Sequence, residues 1–127
     1  MGSALQLRAE LAELPRLNAW VDDRVAALAP SDAEAYALRL CVEELAGNVL
    51  LHGAAAALRV TVDGPPLRLL VEDDGPGFDP RAVPKPVLPG SLDEAQPGGL
   101  GLLLTRHYAS GLTYERVGGW NRVQVAL

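Results

Sequence analysis

Lysine is almost missing from this chain: Lys85 stands alone against ten arginines in 127 residues. Cysteine occurs once, and the single Cys41 excludes an internal disulfide and any multi-cysteine metal site. Excess basic charge is missing too. The formal net charge is −5 and the pI about 4.9. Because phosphate backbones are gripped by clustered Lys and Arg, this balance argues against nucleic acid as a direct partner. No apolar run approaches the ~20 residues that cross a bilayer, so no membrane span is expected. The opening Met1-Gly2-Ser3-Ala4-Leu5-Gln6-Leu7-Arg8 lacks a basic stretch followed by an apolar one, so no signal peptide is read and a cytoplasmic location is expected.

What is present is a globular composition, 49% hydrophobic and 21% charged. The length suits one domain spanning 1–127. Thirteen glycines and ten prolines lie mostly beyond residue 63, where they first read as turns and loops.

Alternation of Leu5 and Leu7 with Gln6 and Arg8 predicts a strand over Ala4 to Glu10. From Pro15 to Leu28 the residues Leu17, Trp20, Val21, Val25 and Leu28 recur at helical spacing, and Pro30 ends that helix. Ser31-Asp32-Ala33-Glu34 is a capping box that opens a second helix running to about His52. Its apolar face is Leu38, Cys41, Val42, Leu45 and Val49, with Gly53 as the stop. Strands follow at Leu58–Val62 and Leu67–Val71, joined at Asp63-Gly64-Pro65-Pro66. After a Gly/Pro-rich stretch over 75–99, a third helix is expected at Leu100–Ala109. Two more strands, Leu112–Val117 and Arg122–Leu127, flank Gly118-Gly119. Hairpin-linked strands with clustered helices argue for an α+β sandwich rather than a doubly wound parallel sheet.

Three segments do not look like core. Glu44, Asn48 and His52 fall at i, i+4 and i+8 of the second helix and share one face beside the apolar stripe. Taken alone, a solvated edge with a capping histidine explains that spacing more often than a site does. Glu43, about 100° away around the helix, reads as surface. Next, Val71-Glu72-Asp73-Asp74-Gly75-Pro76-Gly77-Phe78 runs from a strand into acids and spaced glycines, where backbone could approach a ligand and an acid could accept from a ligand amine. An ordinary strand-to-loop turn has the same composition. Finally, Gly98-Gly99-Leu100-Gly101-Leu102 leads into a helix, and bare N–H groups at a helix start make an anion site. It matches neither a Walker A loop nor the dinucleotide fingerprint. Each segment has an innocent explanation, yet their order supplies a metal and base site, a base-recognition acid and a phosphate cradle, which is an inventory for a nucleotide.

With those three segments in view, the chain resembles the Bergerat-fold, histidine kinase-like ATPase superfamily, and within it the stand-alone bacterial anti-sigma-factor serine/threonine kinases. Glu44-Leu45-Ala46-Gly47-Asn48-Val49-Leu50-Leu51-His52-Gly53 is similar to that family's first box, Asp73-Asp74-Gly75-Pro76-Gly77-Phe78-Asp79 to its second, and Gly98-Gly99-Leu100-Gly101-Leu102 to its third. The resemblance implies a two-layer sandwich with a mixed, mostly antiparallel sheet, helices on one face, and ATP between helices and lid. It implies that Asn48 ligates Mg²⁺, that Asp73 accepts from the adenine amino group, and that Gly75 and Gly77 shape the adenine pocket. His52 belongs to the same cofactor-binding set. Gly98, Gly99, Leu100, Gly101 and Leu102 would meet phosphate, with Arg106 in reach of it. Glu44 would be the general base toward a partner's serine or threonine hydroxyl.

The partners so implied are a STAS-type anti-anti-sigma protein and a sigma factor in a partner-switching circuit, with a homodimer also expected. A non-catalytic, ATP-gated binding module is the alternative. A histidine-kinase or gyrase-like ATPase fragment ranks last: these residues leave no room for a phosphoacceptor helix pair, and Lys85 lies in the loop. Two departures from the family stand out. Gly47 sits inside a helix, where it permits close packing or simply weakens the helix, and Ala54-Ala55-Ala56-Ala57 lacks the usual aromatic and polar residues. The loop from Asp79 to Pro97, with five prolines, is the expected lid over 79–97.

Overall fold

The computed structural model describes residues 3–52, 55–77 and 110–127. Seven elements account for them: β1 (Ser3–Arg8), α1 (Leu14–Leu28), α2 (Asp32–His52), β2 (Ala57–Asp63), β3 (Arg68–Asp73), β4 (Gly111–Val117) and β5 (Trp120–Ala126). A single 3₁₀ turn, Leu11–Glu13, leads into α1.

Local chemistry explains most of the boundaries. Pro15 stands in the first turn of α1, where its missing N–H costs nothing. That helix ends at Ala29, which takes a left-handed φ of 47° just before Pro30. The expected capping box opens α2: Glu34 N–H donates to Ser31 Oγ at 3.1 Å, and Ser31 N–H donates back to Glu34 Oε1 at 3.1 Å. Gly118 and Gly119, at φ 58° and 81°, make the two-residue turn between β4 and β5.

The strands form one sheet in the order β1-β2-β3-β5-β4. All four pairings among the described residues are antiparallel, whereas the resemblance implied a mixed sheet. The architecture is thus the expected α+β sandwich, with α1 and α2 packed on the sheet. Between the layers lies a core in which Leu17 and Leu38 of the helices meet Leu58, Val60, Val62, Leu69 and Val125 of the sheet, all inaccessible or nearly so. Cys41 is buried there, outside any disulfide. Trp20, Val25, Leu28 and Val49, expected on the helices' buried stripes, are half-buried and pack at the margin of this core.

Two strand boundaries differ from the sequence reading in ways that matter. β3 begins at Arg68, and Leu67 instead tucks into the core while its carbonyl accepts from Leu127 N–H at 3.0 Å. β5 begins at Trp120, two residues before the expected Arg122, which draws Asn121 into the sheet opposite Asp73. The expected third helix at 100–109, the Gly53 stop and the 79–97 segment lie outside the described residues.

Candidate functional site

α2 packs across β3. Alternation along β3 turns Leu69, Val71 and Asp73 toward the helices, and Arg68, Leu70 and Glu72 to the opposite face. Asp73 is therefore the last helix-facing residue of a central strand, at the point where the core gives out.

On α2, Glu44 and Asn48 sit one turn apart and are both half-buried, while Glu43 is exposed as expected. Their neighbours Leu45 and Ala46 are buried, which fixes the rotation of the helix and sets Glu44 and Asn48 at the edge of the interface. Partial burial pushes the Glu44 carboxyl above its ordinary value, and the like charge of Glu43 adds to the shift. His52 is the last residue of α2, and its side chain lies outside the described portion. A methyl group built on Gly47 would meet nothing within 4 Å, so packing among the described residues does not demand glycine there.

The chain leaving α2 closes against the turn after β3. Asp74 Oδ1 accepts from Ala56 N–H at 2.8 Å and Ala57 N–H at 2.9 Å. These two backbone donors, Ala57 first, hold the exposed Asp74 carboxyl below its ordinary value. Ala56 and Ala57, in the segment that departs from the family pattern, thus act through their backbone and pin the start of β2 to the turn after β3. A Cβ on Gly75 would fall 2.9 Å from Asp73 Oδ1, closer than real side chains approach, and 3.2 Å from Ala55 Cβ, a tight contact. A side chain at Gly75 would thus force the Asp73 carboxylate to shift. At Gly77 the nearest atom would be Arg116 Cδ at 3.5 Å, an ordinary contact.

Asp73 Oδ1 accepts from Gly75 N–H at 2.9 Å and from Asn121 Nδ2 at 3.1 Å. Asn121 is 2% exposed and joins the whole corner together. Its Nδ2 also donates to Pro76 O at 2.8 Å, and its Oδ1 accepts from Tyr114 Oη at 2.7 Å and Arg116 Nη1 at 2.9 Å. Arg116 Nη1 donates in addition to Gly75 O at 3.0 Å. Asn121, Tyr114 and Arg116 were all missed by reading the sequence. The available signal was a polar residue three places past the Gly-Gly turn's start, in a run that otherwise reads as strand.

Among the described residues no group of three His, Cys, Asp or Glu side chains could hold a metal. Asn48 alone offers a neutral oxygen, which is the kind of donor set that suits Mg²⁺ held chiefly by phosphates and water. The half-buried Asp73 carboxylate beside this turn can accept a hydrogen bond from a ligand amine. The sequence-predicted Gly98, Gly99, Leu100, Gly101, Leu102 and Arg106 lie outside the described residues.

An antiparallel sheet with two helices on one face, a Glu and an Asn one turn apart, and an Asp-x-Gly-x-Gly turn at the end of a central strand together define a class of nucleotide-binding domain. A family model for the histidine kinase-like ATPase domain matches residues 7–127, and the chain belongs to that family. Such an ATPase domain implies ATP binding. Over 94 residues the chain is 38% identical to the serine/threonine-protein kinase BtrW of Bordetella bronchiseptica; the shared stretch covers 69% of this chain and 66% of that protein, just under two thirds of its length.

Proposed function

We propose that this chain is an ATP-dependent serine/threonine kinase of the anti-sigma-factor type, which phosphorylates a STAS-type anti-anti-sigma protein and binds a sigma factor in a partner-switching circuit. The observation that carries the reading is the placement of Glu44 one turn from Asn48 on the helix that packs over β3, the strand ending in Asp73. The serine/threonine kinase named among its relatives supports the same activity.

In this reading Asp73 accepts a hydrogen bond from the adenine amino group, with Gly75 and Gly77 lining the base. Gly98, Gly99, Leu100, Gly101, Leu102 and Arg106 meet the phosphates under a lid formed by 79–97, and His52 lies in the same cofactor-binding set. Asn48 would hold Mg²⁺, which supplies charge neutralisation at the phosphates. Glu44 takes the proton of the attacking hydroxyl as its oxygen bonds to the γ-phosphorus and the bond to the departing ADP oxygen breaks. Its raised pKa, from burial and the Glu43 charge, fits a base that must hold the proton after transfer. Residues 1–127 would work as one domain, with a homodimer as the assembled form and the cytoplasm as its location.

The test is transfer of labelled γ-phosphate from ATP to a STAS-domain protein encoded near this chain. Phosphoserine or phosphothreonine on that partner, lost in Glu44→Gln, is the expected result. Tight ATP binding without product on any such partner would overturn the kinase reading in favour of an ATP-gated binding module.

A further inference from the structure

We infer that Asn121, held by Arg116 and Tyr114, is a positioning residue that orients the Asp73 carboxylate and thereby sets selectivity for a purine bearing a 6-amino group. The inference rests on the adenine-binding reading of Asp73 and goes one step behind it, to the residue that aims the acid.

The argument starts from the amide of Asn121. Its two ends are chemically distinct, and among the described residues each end meets partners of the matching kind. Tyr114 Oη and Arg116 Nη1, at 2.7 and 2.9 Å, bring protons to Oδ1. Asp73 Oδ1 and Pro76 O, at 3.1 and 2.8 Å, accept from Nδ2, with Gly75 O at 3.4 Å beside them. Turning the amide over would set two N–H groups against a guanidinium, which can only donate, and the oxygen against carbonyl and carboxylate oxygens. The orientation is thus fixed by the partners.

The consequence falls on Asp73. Its Oδ1 is engaged by Asn121 Nδ2 and Gly75 N–H, while nothing among the described residues donates to Oδ2. A half-buried carboxylate with one oxygen clamped and the other without a donor among the described residues offers a single, directed acceptor. An exocyclic amine completes it. A purine with a carbonyl at that position sets oxygen against oxygen and is rejected, because a built polar site penalises a ligand that leaves it unpaired. Asn121 lies 48 residues from Asp73 in sequence, yet their strands place them opposite each other, so the clamp belongs to the sheet rather than to the loop.

The experiment measures binding of ATP, GTP and purine riboside 5′-triphosphate, which lacks the 6-amino group, to the full chain by calorimetry. Wild type should prefer ATP over the des-amino nucleotide by about tenfold or more, the usual worth of a charge-assisted hydrogen bond. In Asn121→Ala that ratio should fall toward one, with affinity for the des-amino nucleotide changed by less than about threefold, since only the aimed contact is lost. Arg116→Gln, at an exposed position, should lower the ratio in the same direction and carries the test if Asn121→Ala does not fold. Loss of affinity for both nucleotides with the ratio intact in either folded variant would overturn the inference, as would a wild type with no preference. Absence of ATP binding by wild type would instead overturn the reading on which it rests.

Discussion

Asn121 Nδ2 donates to Asp73 Oδ1 at 3.1 Å, linking the second residue of β5 to the last residue of β3 across the sheet. This bond ties the candidate nucleotide corner to the most regular part of the fold. The turn at 74–77 is further held from two directions: Asp74 by the backbone of Ala56 and Ala57, and Gly75 O by Arg116. A site that is to recognise a base gains from such preorganisation, because little ordering remains to be done on binding.

Glu44 supplies a prediction in pH. Burial and the Glu43 charge raise its folded pKa, so the acid limb of the transfer rate should lie above the ordinary glutamate range. Glu44→Gln should lower the transfer rate by about 10²–10⁴-fold while leaving ATP affinity within about twofold. Stability runs the other way. A carboxyl whose folded pKa is raised favours the folded state while protonated, and that advantage fades as pH rises through the folded value. Glu44→Gln should therefore be more stable than wild type at neutral pH, with the gap closing on acidification. Denaturant titrations at several pH values would show it, and a gap that widens toward acid would contradict the assignment.

The two turn glycines should respond differently to a methyl group. Gly75→Ala drives Cβ to within 2.9 Å of Asp73 Oδ1, so the carboxylate or Ala55 must move. ATP affinity should fall by more than about tenfold, since one directed hydrogen bond to a charged group is worth that much. Gly77→Ala makes only an ordinary contact with Arg116 and should leave thermal stability unchanged. Any loss of ATP affinity in Gly77→Ala then reports contact with the nucleotide. Equal destabilisation of both variants would show that packing, not ligand, governs the pair.

At Gly47 the expected effect is a gain. Nothing among the described residues lies within 4 Å of a Cβ there, and glycine in a helix interior costs about 1 kcal/mol relative to alanine. Gly47→Ala should raise the melting temperature by about 4 °C in a chain of this size. Of the two explanations the sequence left open, close packing and a weakened helix, the open space favours the second. ATP binding, measured on the same variant, asks whether the gap beside Asn48 serves the ligand: unchanged affinity would make Gly47 a plain liability of the helix.

Features decided by neighbours in sequence were legible without a structure. The reciprocal bonds of Ser31 and Glu34, the stop at Pro30 and the Gly118-Gly119 hairpin each need only a few adjacent residues. The buried faces of α1 and α2 followed from spacing, apart from residues at the margin such as Trp20 and Val49. Asn121 was not legible. Asparagine is depleted in strands, so Trp120-Asn121 after two glycines reads as the rest of a turn. Its burial is decided by Asp73 and the 75–76 carbonyls, more than forty residues away. The pairing of β3 with β5 is likewise a long-range fact with no local mark. The role of Ala56 and Ala57 was not legible for a related reason: their side chains say little, and they act through backbone N–H groups.

Glu72 neighbours Asp73 in sequence but points to the opposite face of the sheet, and this separates stability from binding. It is 6% exposed and takes Arg59 in a fork, Nε to Oε1 at 3.0 Å and Nη2 to Oε2 at 3.2 Å, while Arg122 Nε reaches Oε2 at 3.0 Å. Arg122 continues to Glu115 at 2.8 Å, and the Arg59 guanidinium lies 5.8 Å from the centre of the Trp120 ring. Removing the carboxylate leaves two cations side by side. Their side chains are 40% and 37% exposed, so water can partly replace the lost partner. The cost of Glu72→Ala should thus be about 1–3 kcal/mol, below that of breaking a fully buried pair. Urea unfolding would measure it, and high salt should recover part of the loss by screening the two arginines from each other. ATP affinity should stay within about twofold, because the network shares no face with Asp73 or α2. A folded Glu72→Ala protein that had lost ATP binding tenfold or more would show that the two faces of β3 are coupled through the strand.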